Sequence, residues 1–125
     1  MLEEYTDDDN ELTVHVFTGV VSANDLIEAV KALYASGPTP NHLWDLSNAD
    51  VSSIQSDHLK DIASLAKQAA PGGRSGRTAI VSASDLGFGI SRMYGVFAEM
   101  SGQSVEVRSF RSRKEAEDWI TEINK

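Results

Sequence analysis

The stretch Arg77–Met100, RTAIVSASDLGFGISRMYGVFAEM, decides the fold. It opens on RTAIV, a largely apolar run that predicts a strand at the centre of a sheet covered on both faces. Behind it, Leu86, Ile90, Met93, Phe97 and Met100 fall four, three, four and three residues apart. That spacing predicts a helix with one buried stripe. A strand running directly into a helix is half of a parallel crossover unit, so the question becomes whether the alternation continues on either side.

It does. Downstream, Gly102 ends the helix, and Val105 and Val107 alternate against Glu106 and Arg108 as a last strand, Ser104–Phe110. Ser112 with Glu115 forms a capping pattern ahead of a final helix whose inner face is Ala116, Trp119, Ile120 and Ile123. Upstream, Pro71–Gly76 reads as a turn, and Leu59, Ile62, Ala63, Ala66 and Ala69 mark one face of a helix over Ser56–Ala70. HLWDLS, His42–Ser47, is a short strand. Before it, Ser22 and Asp25 cap a helix carrying Leu26, Val30 and Leu33, flanked by Ile27 and Tyr34 and stopped by Gly37 and Pro38. Leu12–Val20 alternates with period two and joins Leu2–Thr6 across the polar turn DDDN. The order is strand, strand, helix, then strand and helix three times. It predicts an α/β fold over residues 1–125 as a single domain, with a five-stranded, mostly parallel sheet, four helices, and the first strand as an antiparallel edge.

Composition narrows the function classes. Nineteen acids against 11 bases give a net charge of −8, a surface that repels phosphate backbones and argues against nucleic acid as a partner. The basic cluster Arg108, Arg111, Arg113 and Lys114 has Glu115, Glu117 and Asp118 directly behind it. There is no cysteine, hence no disulfide or thiolate chemistry, which fits a reducing, cytoplasmic setting. No apolar run is long enough for a membrane span, and the acidic N-terminus is unlike a signal peptide.

Few residues are arranged for chemistry. Gly87 and Gly89 make a G-x-G, but position 92 is Arg92 where a dinucleotide-binding loop needs glycine, and no P-loop occurs. The weaker expectation is a ligand site of Asp85, Gly87, Gly89 and Arg92, where helix amides and Arg92 would meet an anion; in the other reading the glycines ease the turn, Asp85 caps the helix and Arg92 bridges Asp85 or a neighbouring element. Asp45, at the end of its strand, is a further ligand candidate or a loop organiser. His15 and His42 are isolated in the sequence, His58 stands in D-H, none shows metal spacing, and each reads as a partly exposed structural residue. Neither a catalytic constellation nor a cofactor is expected. Met93, Phe97 and Met100 read as core, and Tyr94 as the edge of a surface contact.

Four stretches carry a resemblance: FTGVVSANDL (Phe17–Leu26), LWDLSNAD (Leu43–Asp50), GFGISRMYGVFAE (Gly87–Glu99) and VEVRSFRSRKEAEDWI (Val105–Ile120). In these the chain resembles the SpoIIAA-like domains, relatives of the STAS domains of anti-sigma-factor antagonists, in one superfamily with the lipid-binding CRAL-TRIO domains. The resemblance implies a non-enzymatic regulatory domain that engages a protein partner; the alternative is an anionic or lipid-like small molecule bound at the carboxyl ends of the parallel strands. A homodimer is compatible with either. In the antagonists a strand ending D-L-S leads to D-S-S-G, where a serine is phosphorylated. Asp45, Leu46 and Ser47 match the strand, but the loop that follows is longer and lacks the acid and the glycine, so Ser56 alone carries over as a phosphoacceptor candidate.

Overall fold

The computed structural model describes residues 2–35, 39–69, 76–102 and 105–122. In chain order the elements are β1 (Leu2–Asp7), β2 (Leu12–Val20), α1 (Ala23–Ala35), β3 (Asn41–Asp50), α2 (Ser56–Ala69), β4 (Arg77–Val81), α3 (Asp85–Met100), β5 (Glu106–Phe110) and α4 (Arg113–Thr121). The expected stop at Gly37 and Pro38, most of the Pro71–Gly76 turn, and Ile123 lie outside the described residues.

The five strands form one sheet in the order β1-β2-β3-β4-β5, with β1 antiparallel to β2 and the rest parallel. This is the expected α/β sheet with its antiparallel edge. Each crossover moves to the next strand in the same direction, so right-handed connections bring α1, α2 and α3 to one face. The chain ends beyond β5, and α4 folds back on the other face. The two cores show the division. Leu12, Val14, Leu43, Ala79 and Val81 point toward Ala116, Trp119 and Ile120 of α4. Phe17, Val21, Ala29, Val51, Ile54 and Leu59 pack together on the opposite side.

The caps form as their sequences require. Asp25 Oδ2 accepts the Ser22 amide at 2.9 Å while Ser22 Oγ accepts the Asp25 amide at 3.2 Å. Ser112 Oγ accepts the Glu115 amide at 3.2 Å and opens α4. The basic cluster is neutralised in space as in sequence: Arg111 pairs with Asp85 at 2.8 Å, Arg113 with Glu117 at 2.8 Å and Lys114 with Asp118 at 3.1 Å.

Two expectations need correction. β3 does not stop at Ser47; it runs to Asp50, because Asn48, Ala49 and Asp50 pair with Thr18, Gly19 and Val20 of the long β2. Val16 pairs with Asp45 but Thr18 with Asn48, so β3 holds an extra residue in a bulge between them. Polar residues of low strand propensity are recruited there by the neighbouring backbone.

The second correction concerns α3. Gly87, Ser91 and Ala98 are its buried residues. Leu86, Met93 and Met100 of the expected core stripe are 56%, 42% and 77% exposed, and Val96 is 54% exposed. The helix lies close on β4 and β5 through small residues, which turns the large apolar ones outward. Tyr94, expected at a surface, packs instead against the inner cores.

Candidate functional site

Above the sheet the three crossover helices do not fill all the space. Between the sheet and the α1–α3 layer lies a cavity offering about 100 Å³ to the centres of water-sized spheres. Leu26, Val30 and Leu33 of α1, Leu59, Ile62 and Ala66 of α2, and Ile90 and Tyr94 of α3 form its roof. His42, Trp44 and Leu46 of β3, with Thr78 and Ile80 of β4, form its floor. Among the described residues, no lining residue is an acid, a lysine or an arginine. Ser91 Oγ, at one wall, donates to Phe88 O at 2.8 Å and meets Ser109 Oγ at 3.0 Å, so its polarity is already satisfied. A broader depression between β1, β2 and α1, about 330 Å³ by the same measure, is bordered by the carboxylates Glu4, Asp25 and Glu28. The apolar chamber on the α1–α3 side is the better ligand geometry.

The floor carries a cluster that the sequence reading missed. His15 and His42 are neither isolated nor partly exposed: both are buried, and β2 and β3 are parallel neighbours with His15 opposite Trp44 and Thr13 opposite His42. His15 Nε2 lies 3.3 Å from His42 Nδ1. The His15 ring stacks on Trp44 with centroids 3.9 Å apart and planes 13° apart. On its other side, Glu4 Oε1 is 3.3 Å from His15 Nδ1, but off the line a hydrogen bond needs, so that nitrogen is left without a hydrogen-bond partner. Burial pushes the His15 pKa down to about 4, so the ring is neutral at pH 7. A neutral imidazole carries one N–H and one bare nitrogen, so His15 can share a single N–H with the facing His42 nitrogen. The signal available in sequence was weak: two histidines at inward positions of strands whose neighbourhood depends on sheet order.

Of the ligand-site candidates, Asp85, Gly87, Gly89 and Arg92 lie on α3, and Asp45 does not join them. Asp45 faces α4, on the opposite side of the sheet from α3. There it pairs with Arg113 at 3.4 Å, and its Oδ1 accepts the Ser47 amide at 3.0 Å. It organises the β3 bulge. Asp85 pairs with Arg111 and not with Arg92. Gly87 is buried at the start of α3, where its amide donates to Ser84 Oγ at 3.0 Å. A Cβ there would meet Ser84 Oγ at 3.0 Å and Ser82 Oγ at 3.1 Å. Gly89 is exposed, and a Cβ there would meet nothing within 4 Å. Ser84 thus occupies part of the amide cradle itself, and Arg92 is exposed farther along the helix. Ser56 is exposed in the first turn of α2, where His58 Nδ1 accepts the Gln55 amide at 3.0 Å. Among the described residues no group of three or more His, Asp or Glu side chains is arranged to hold a metal ion, and no helix is long and apolar enough to cross a membrane.

The glycine geometry makes a paired prediction. Gly87→Ala pushes Ser84 off its capping position and is expected to cost about 1 kcal/mol. Gly89→Ala enters open space in a helix and is expected to stabilise by about 0.5–1 kcal/mol. Urea midpoints moving in opposite directions at unchanged slope check both.

No protein-family model matches the chain, and no curated protein matches it. Solved structures do. An uncharacterized protein of the DUF3478 family from Shewanella loihica PV-4, with a SpoIIAA-like fold, superposes with a TM-score of 0.60 at 17% identity, covering 96% of this chain and 92% of that one. The fold is SpoIIAA-like. The Bacillus cell fate determinant SpoIIAA in its phosphorylated form superposes with a TM-score of 0.53 at 14% identity, covering 96% of this chain and 99% of that one. The SpoIIAA-like arrangement of sheet and helices is what frames the cavity here: three crossover helices roof one face while α4 closes the other.

Proposed function

We propose that the chain is a non-enzymatic binding domain that holds a small, uncharged, apolar molecule, or the apolar end of a larger one, in the chamber beneath α1–α3. The chamber carries the reading. A cavity of similar size, about 150 Å³, lined by aliphatic and aromatic side chains, takes up benzene or xenon. Drug-sized ligands need roughly 300–1,000 Å³, so a lipid-like ligand would require the helical layer to lift. An anionic ligand is disfavoured, because an ion placed there without a cation would be buried and unpaired. A cytoplasmic setting is supported by the lack of cysteine.

Benzene is the probe that tests this. Saturating benzene is expected to raise the melting temperature, since a molecule that binds only the folded state stabilises it by mass action. Ile80→Trp, which fills the chamber from the floor, is expected to abolish that rise while remaining folded. A melting temperature indifferent to benzene in the parent chain contradicts the reading.

A second reading, regulation through a protein partner, is favoured by the exposed apolar residues Leu86, Met93, Val96 and Met100 of α3. For phosphorylation in this reading, Ser56 is the proposed acceptor. It is exposed near a helix N-terminus, where a phosphate gains from the amide dipoles. Its test is the intact mass of the parent and of Ser56→Ala after exposure to native lysate with ATP: addition of phosphate to the parent alone supports it, and equal phosphate on both contradicts it.

A further inference from the structure

α3 is apolar on almost every side, a composition that belongs to a helix covered all round. Its inner face meets the sheet, and Ile90 and Phe97 turn toward α2, where Lys60 lies over the Phe97 ring at 5.3 Å. The outer face is uncovered. Leu86, Met93, Val96 and Met100 project there, 56%, 42%, 54% and 77% exposed, with Gly89 among them. Residues 86, 89, 93, 96 and 100 are separated by three, four, three and four, the spacing of a coiled-coil seam.

The charges bordering that seam indicate its partner. Asp85, Arg92 and Glu99 recur every seventh residue along one edge. Asp85 is held by Arg111. Among the described residues, neither Arg92 nor Glu99 has a side-chain ion pair.

We propose that the outer face of α3 pairs two copies of this chain as an antiparallel, two-fold helix pair. Met93 lies opposite Val96 of the second copy, and Gly89 opposite its Met100. In that register each Arg92 meets the other copy's Glu99, on both sides of the axis. The open space at Gly89 receives Met100, the most exposed large apolar residue. Other arrangements are worse. Sliding by one heptad sets Arg92 against Arg92 and Asp85 against Glu99. A parallel pair sets Asp85 and Arg92 against Ile90 and Phe97, with no ion pair formed. One short helix buries less than a standard interface, so the dimer is weak and concentration-dependent. This deepens the partner reading and is independent of the chamber: a monomeric chain leaves benzene binding untouched, and a dry, empty chamber leaves the helix pair untouched.

Sedimentation equilibrium over a wide range of concentration tests it. The parent chain is expected to dimerise reversibly. Arg92→Glu and Glu99→Arg, each alone, place like charges on both sides of the axis and weaken dimerisation by about tenfold or more. Mixing the two variants restores both ion pairs, so the mixture forms a heterodimer as tight as the parent. Both side chains are exposed, and circular dichroism with melting curves confirms that each variant is folded. A parent chain monomeric at the highest concentration overturns the proposal, and so does a dimer indifferent to the single reversals or a mixture no tighter than its components. Monomeric binding to phosphatidylcholine vesicles, lost in Met93→Glu, overturns it in favour of a membrane surface.

Discussion

Replacing Ile120 by alanine is expected to destabilise the protein by about 2–5 kcal/mol, a large share of a typical domain's stability. Ile120 is fully buried at the centre of the α4 core, with Leu43, Val81 and Trp119 around it. Arg77 and Arg108 stack on the Trp119 ring at 4.9 and 5.1 Å, and Arg77 Nη1 donates to Trp119 O at 2.7 Å. A helix held this way cannot collapse into a new void, which places the cost toward the upper part of that range. The opposite face behaves differently. Ala66→Leu adds volume at a residue lining the chamber, and in a filled core that change would cost about 1–3 kcal/mol. Here the added methyl groups enter empty space, so the variant is expected to be neutral or to gain about 1 kcal/mol. Chemical unfolding of both variants checks the contrast. Equal destabilisation on the two faces would mean that both are packed alike.

The second large effect is on pH. His15 holds its proton only below about pH 4 in the folded chain, against 6.5 for the ordinary side chain. Between those values the unfolded state binds more protons, so stability rises with pH there. The contribution is complete above pH 6.5 and is lost as the pH falls toward 4; a difference of this size corresponds to about 3 kcal/mol. Desolvation is the cause. Glu4, nearby but 40% exposed and poorly aligned, does not offset it. His15→Phe keeps a ring against Trp44 and removes the titration. Unfolding free energies across pH 4–8 are expected to fall more steeply on the acid side for the parent than for this variant. Parallel profiles would contradict a buried neutral His15.

These particulars show how far the sequence could be read. The elements were legible because turns, caps and alternation are local: the Ser22–Asp25 box, the Ser112 cap and the RTAIV run each announce themselves within a few residues. The β3 extension was not, since Asn48–Asp50 are strand only because β2 lies beside them. The orientation of α3 misled for a related reason. Its large residues trace a regular stripe, and periodicity says that a helix has two faces without saying which one meets the sheet; the close approach at Gly87, Ser91 and Ala98 decides it. The candidate site was the least legible part. Asp45, Gly87, Gly89 and Arg92 were grouped by nearness to strand ends, yet alternation along β3 sends Asp45 to the α4 face. The cavity is a property of what three helices fail to fill, and the pairing of His15 with His42 depends on strand order and register.

If the apolar chamber between the sheet and α1–α3 accepts a small molecule, a crystal structure under xenon pressure shows it. A xenon peak is expected among Val30, Trp44, Ile62, Ile80 and Tyr94, absent in Ile80→Trp. Helices seated directly on the sheet, with no xenon between them, would contradict it.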